Sequence, residues 1–279
     1  MADLPIGIII DCFKTDIRTA VEKAAKLGAQ GIQVYSTYGE MSPENLSNQA
    51  RKEFLDLVKS HGMKISALCG DLGGHGFADK EQNFNKIERS KRILELAKDL
   101  ETNVVTTHIG VIPNNKTHDR YKVMQEACYE LAQFADGLNA HFAIETGPEI
   151  AVTLKEFLDS LNSRGVAVNL DPANFVMVTG DDPVKAVYTL SDYIVHTHAK
   201  DGRRLLVKDP EIVYGLIEEE IQAGQAFIEL PLGTGDVDFK NYIKALKDIG
   251  YTGFLTIERE VGSDPEADIK TAVDFLKSV

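Results

Sequence analysis

The chain has 279 residues, enough for one large domain or two ordinary ones, and its 43% apolar and 26% charged residues are those of a globular protein rather than a disordered one. A net charge of -13 without any run of Lys or Arg opposes a phosphate backbone, which excludes nucleic acid as the expected partner. No apolar stretch approaches the roughly 20 residues of a membrane span, residues 1–5 are too short and acidic for a signal peptide, and Cys12, Cys69 and Cys128 are too scattered for a disulfide framework.

The expected location is therefore the cytoplasm, with no membrane partner. Residues 6–10 form a short apolar run that predicts a strand, and residues 16–27 carry Ile17, Ala20, Val21, Ala24 and Leu27 at helical spacing before Gly28 closes the helix. Residues 31–35 are the next strand. Pro43 and Asn45 lead into a helix through Phe54 and Val58, which Gly62 ends. Residues 64–69 are a third strand, followed by a loop rich in glycine (Gly70, Gly73, Gly74, Gly76) of the kind that closes over a substrate.

The alternation continues with a long helix over 82–100, a strand over 103–108, a helix over 121–138 and a strand over 141–145. Thr153 and Glu156 form a capping box for a helix through Leu161, residues 166–171 are a strand, and Asp182-Pro183 opens a helix to Leu190. Residues 194–201 read as a strand running into a site, and about 202–237 as a loop insertion after it. A helix over 238–249, a strand over 253–260 and a helix over 265–277 complete the chain. Eight strand-plus-helix units predict a single (β/α)8 TIM barrel spanning 1–279. An open doubly wound sheet is the alternative, but it gathers its polar residues at one switch point, whereas here they end many strands.

Those strand ends are Asp11, Tyr35, Cys69, His108, Glu145, Asp171, His198 and Glu258. Each carboxylate taken singly is better explained by a helix cap or a salt bridge. Glu145, Asp171 and Glu258 together are different, because converging buried carboxylates repel one another and leave lone pairs unpaired. A divalent cation removes both costs. Three carboxylates and an imidazole from the His196-Thr197-His198 run make an oxygen-rich set that suits Mn2+ best, with Co2+, Mg2+ or Zn2+ as neighbours in preference.

Five stretches, 144–149 (IETGPE), 170–174 (LDPAN), 195–201 (VHTHAKD), 232–239 (LGTGDVDF) and 256–260 (TIERE), resemble the sugar phosphate isomerase/epimerase family of xylose-isomerase-like barrels, the ketose 3-epimerase branch above all. The resemblance implies one metal held by Glu145, Asp171, His198 and Glu258; Glu260 shares a strand face with Glu258 and is the fallback for the fourth ligand. It makes His198, the second histidine of the pair, the ligand and Arg204 a substrate contact. His108, Glu149, Asn174 and Lys200 are further expected substrate contacts. Asn174 stands where the nuclease branch of the superfamily carries a metal histidine, which argues against DNA repair.

The expected function is a metal-dependent sugar or sugar phosphate isomerase/epimerase. Glu145 and Glu258 would remove and return a proton beside a carbonyl through a metal-stabilised enediolate. The alternatives are a dehydratase or lyase on a keto-sugar or inosose, and a non-catalytic sugar-binding barrel. The expected partner is a small sugar, and the sequence leaves homo-oligomerisation open.

Overall fold

A computed structural model describes residues 4–218 and 224–279; residues 219–223, inside the expected insertion, and residues 1–3 lie outside it. Eight parallel strands close into a barrel: β1 (Ile6–Ile9), β2 (Gly31–Tyr35), β3 (Lys64–Cys69), β4 (Val104–Thr107), β5 (His141–Glu145), β6 (Val166–Leu170), β7 (Ile194–Ala199) and, last in the chain, β10 (Leu255–Ile257). Going round the wall the order is β1, β10, β7, β6, β5, β4, β3, β2, so the final strand inserts between the first and the seventh. The (β/α)8 expectation is borne out. Among the described residues no helix is long and apolar enough to cross a membrane.

The strands serve two different interiors because side chains alternate across a strand. Outward residues such as Ile32, Val34, Leu68, Val105, Phe142, Ile144, Val168 and Leu170 are buried in a continuous apolar shell with the surrounding helices. Inside the barrel, Ala67, Val104 and Ala143 form a small separate apolar cluster. Above it lies a polar layer of Gln33, Thr106, Asn169, His196 and Thr256, joined by hydrogen bonds of 2.9 to 3.0 Å. The helices are fixed by local chemistry: Asp16 accepts from the Thr19 amide at the start of Ile17–Leu27, and Gly28 ends that helix at φ 85°.

Two regions carry contacts that the sequence does not foretell. The glycine-rich loop after β3 is pinned, with the Phe77 amide donating to Ile109 O and Lys86 Nζ donating to Gly73 O and Gly76 O. A Cβ on Gly76 would lie 2.0 Å from the Ile109 carbonyl carbon, so glycine is required by the approach of two loops.

The insertion after β7 is built around an antiparallel pair, β8 (Asp201–Arg204) and β9 (Phe227–Leu230). Its anchor is Asp201, 1% exposed, whose carboxylate accepts backbone N–H groups from Gly202, Gly233, Gly235 and Val237 at 2.8 to 3.2 Å. A Cβ on Gly235 would meet Asp201 Oδ1 at 2.1 Å, which explains the Gly-Thr-Gly turn without a phosphate ligand. Removing the acceptor strands four amides, and an unsatisfied buried donor costs about 1–3 kcal/mol. Asp201→Ala is therefore expected to lose at least about 2 kcal/mol of stability in urea unfolding; an unchanged midpoint contradicts the anchoring role.

Candidate metal and active site

Four neighbouring strands, β10, β7, β6 and β5, each end in one inward-facing polar group: Glu258, His198, Asp171 and Glu145. Each offers one ligand atom, and these atoms lie within 4.8 Å of one another. His198 Nδ1 is the centre of the arc, 2.9 Å from Glu258 Oε2, 3.6 Å from Glu145 Oε2 and 3.7 Å from Asp171 Oδ2. All four residues are buried.

The surrounding bonds leave lone pairs free toward the arc. Asp171 Oδ1 accepts from the Ala173 and Asn174 amides, capping the short turn that follows β6, while Oδ2 has no donor. Glu258 Oε2 also has none, since its 2.9 Å approach to His198 Nδ1 is an ion-pair contact without hydrogen-bond geometry. Glu145 accepts from Asn174 Nδ2 at 2.9 Å and from Asn169 Nδ2 at 3.3 Å. Buried carboxylate oxygens without a donor are rare in folded proteins, because nothing offsets their lost hydration. An oxygen-rich group with one imidazole is the donor set that hard and borderline divalent cations take. The residues fit a metal ion.

Electrostatics compensate the carboxylates in part. Burial alone would lower the His198 pKa, but the charges of Glu258 and Glu145 outweigh it and hold the ring well above its usual value. Lys200 behaves likewise: burial opposes its charge, and Glu258 and Asp171 overcome that opposition. Burial would raise Glu258, yet Lys200 and His198 keep it below the ordinary carboxylate range. Asp171, with burial dominant, sits above its usual value. Across the cavity, burial lowers and Glu145 and Asp71 then raise His108, leaving it at about 9.

The arc opens into a cavity of about 270 Å³, closed on its far side by Tyr35, Cys69, Asp71 and His108 and on its outer side by Tyr214 and Glu229 from the insertion. Of the expected substrate contacts, His108, Asn174 and Lys200 line this cavity. Glu149 and Arg204 do not; they line a neighbouring pocket of about 510 Å³, where Arg204 Nη1 donates to Thr179 O. Glu260 lies outside the four-residue group and pairs with Lys200 Nζ at 2.8 Å. His196 lies one layer deeper, its Nδ1 against Asn169 Oδ1 and its Nε2 against the Thr256 hydroxyl, and burial followed by the His198 charge pushes its pKa well down.

Sequence reasoning missed Gln33, Asn169, Asp71 and Glu229. A signal for the first two exists: each is polar within an apolar strand and stands two positions before a strand-end residue, so it points into the same barrel one layer down. Asp71 and Glu229 carry no such signal. Asp71 reaches His108 Nδ1 at 3.2 Å from the loop after β3, and Glu229 returns from the hairpin to Arg259 at 2.7 Å.

The sequence matches the family described as xylose isomerase-like TIM barrel over residues 21–279. An L-ribulose-5-phosphate 3-epimerase of Escherichia coli is 24% identical over 273 residues, covering 92% of this chain and 88% of that protein. The crystal structure of a xylose isomerase domain protein from Planctomyces limnophilus has a TM-score of 0.81 at 24% identity, covering 100% of this chain and 97% of that one. A probable 3-DHS dehydratase from Bacillus anthracis has a TM-score of 0.76 at 21% identity, covering 98% and 99%. These two structures share the fold.

Burial pushes the Glu149 carboxyl up to about 8, from an ordinary 4.5. The folded chain thus keeps a proton that the unfolded chain releases, so this contribution to stability is full below about 4.5 and lost as pH rises through about 8. Glu149→Gln, which mimics the neutral acid, is expected to gain melting temperature relative to the parent as pH rises across that window in calorimetry. A difference that does not change with pH contradicts the buried neutral carboxyl.

Proposed function

The chain belongs to the xylose isomerase-like TIM-barrel family, and from that premise we propose that it is a divalent-metal-dependent sugar or sugar phosphate isomerase/epimerase, with Mn2+ as the preferred ion. The observation that carries the reading is the placement of Glu145 and Glu258 at the two ends of the four-strand arc, with His198 and Asp171 between them. Glu145, Asp171, His198 and Glu258 would hold the ion, which when bound supplies Lewis-acid stabilisation of the negative charge that develops on a carbonyl oxygen.

The remaining work belongs to the chain's own groups. A keto-sugar in the cavity lies between the arc and the opposite wall of Tyr35, Cys69 and His108. One glutamate takes the proton from the carbon beside the carbonyl, and the other returns it from the opposite side, inverting that carbon. If the same glutamate redelivers the proton to the adjacent carbon, the outcome is an aldose-ketose isomerisation. Asn174 and Asn169 hold Glu145 through both oxygens, which fixes its attack direction. Lys200 and His108 offer N–H groups to substrate hydroxyls, and the hairpin residue Tyr214 helps exclude water from the cavity. Arg204 and Glu149 serve a longer substrate's far end, in the adjoining pocket.

A dehydratase is the second reading, favoured by the His108–Asp71 pair facing Glu145. A protonated imidazole there can pass its proton to a departing hydroxyl. A screen of ketoses, ketose phosphates and inososes in deuterated water separates the two. Epimerase or isomerase chemistry incorporates deuterium beside the carbonyl without change of mass balance, whereas the dehydratase shows net loss of water.

Chelator treatment is expected to abolish turnover and Mn2+ to restore it. Glu145→Gln and Glu258→Gln are each expected to lower kcat by at least about 100-fold, the scale of one acid–base group. Full turnover by the double variant sinks the proposal.

A further inference from the structure

His198 presents its two ring nitrogens to different surroundings. Nδ1 faces the three carboxylates, while Nε2 points across the barrel to Gln33 Oε1 on β2, 3.1 Å away. Both residues are 1% exposed, so the contact is made away from bulk solvent. We infer that Gln33 is a positioning residue: it accepts the Nε2–H of His198 and so leaves the Nδ1 lone pair directed at the ion. This rests on the reading of Glu145, Asp171, His198 and Glu258 as a metal centre.

With Nδ1 given to a cation, the described neighbours leave one acceptor for Nε2. A ring that gives Nδ1 to a cation must carry its proton on Nε2, and a buried N–H needs an acceptor. Asn169 Nδ2 lies beside the ring, 3.2 Å from Nε2 and 3.4 Å from Nδ1, and its orientation is set by other partners. Its Nδ2 faces the Glu145 Oε2 carboxylate, which only accepts, and its Oδ1 takes the Nδ1–H of His196. Asn169 therefore has only N–H to show His198. Among the described residues Gln33 Oε1 is the one acceptor placed against Nε2, and Gln33 is held in turn by donating Nε2–H to Thr106 Oγ1 at 3.0 Å.

The result is a relay of positions, Thr106 to Gln33 to His198, that runs from β4 through β2 to β7 across the barrel axis. It resembles in kind the carbonyl or carboxylate partners that orient metal-binding histidines elsewhere, whose loss typically weakens metal binding about 10- to 100-fold. The arrangement also explains why a glutamine, costly to bury, stands between Ile32 and Val34 in an otherwise apolar strand.

The test uses Mn2+ binding by calorimetry on the full chain, with the melting temperature of the metal-free protein as control. Gln33→Met keeps the length and removes the acceptor, and Thr106→Val removes the group that steadies Gln33. Gln33→Met is expected to weaken Mn2+ binding 10- to 100-fold, with Thr106→Val showing a smaller loss in the same direction. In the Zn2+-loaded parent, 15N-resolved NMR is expected to show a slowly exchanging proton on His198 Nε2 that disappears in Gln33→Met. Binding within threefold of the parent together with a retained Nε2 proton overturns the inference. If Gln33→Met does not fold, Thr106→Val and the parent's own Nε2 proton decide the matter: a parent ring protonated on Nδ1 when loaded overturns it. A parent chain that takes up no Mn2+ or Zn2+ at all removes the metal-centre reading itself, a failure distinct from an intact site indifferent to Gln33.

Discussion

Three carboxylates buried at one end of a parallel barrel are the constraint that the rest of the site answers. Two like charges 4 Å apart repel by about 4 kcal/mol at an effective dielectric constant of 20, and Glu145, Asp171 and Glu258 all stand within 4.8 Å of a common imidazole. Backbone caps take one oxygen of Asp171, two amide side chains take both oxygens of Glu145, and Lys200 lies 3.4 Å from Glu258. What these partners leave open is a set of oxygen lone pairs and one ring nitrogen turned to the same place. The compensation is partial, and the part left over has the oxygen-rich chemistry that a cation would complete.

The polar layer one step down the barrel follows from the same constraint. A (β/α)8 core is ordinarily filled by branched apolar side chains, yet here Gln33, Thr106, Asn169, His196 and Thr256 occupy it, with Gly7 leaving room beside Thr256. Each of these polar groups finds a partner within the layer or just above it. A half-satisfied network would be worse than an apolar core. Fully joined, it holds His198 and Glu145 in place from below, so the chain itself arranges the four-residue group.

The hairpin after β7 ties the rim to this arrangement. Asp201, directly after Lys200, nucleates the turn around Gly233 and Gly235, and this brings Glu229 back over the mouth to meet Arg259 at 2.7 Å and Lys200 at 3.9 Å. One segment of chain therefore carries a site lysine and the anchor of the element that covers it. The cavity's outer wall and the charge balance of Glu258 depend on the same few residues.

Much of this was legible in residue order. Strands are short and apolar, helices carry caps, and the period switches between 2 and 3.6, so the alternation of units determined the barrel. The four strand-end residues of the candidate metal site were conspicuous in the sequence too, because a carboxylate ending an apolar run stands out at Glu145, Asp171 and Glu258. Only the tertiary structure brings Glu258 rather than Glu260 into the four-residue group: the strand ends at Ile257, Glu258 joins the group, and Glu260 pairs with Lys200. It alone placed Arg204 and Glu149 in the adjoining pocket, joined Asp71 to His108, and gave Asp201 its four amides. Apart from the adjacent Gly202 amide, these join segments more than 30 positions apart, and they are set by barrel closure and loop return rather than by local pattern. Strand alternation tells which residues face inward, and closure alone tells which inward residues meet.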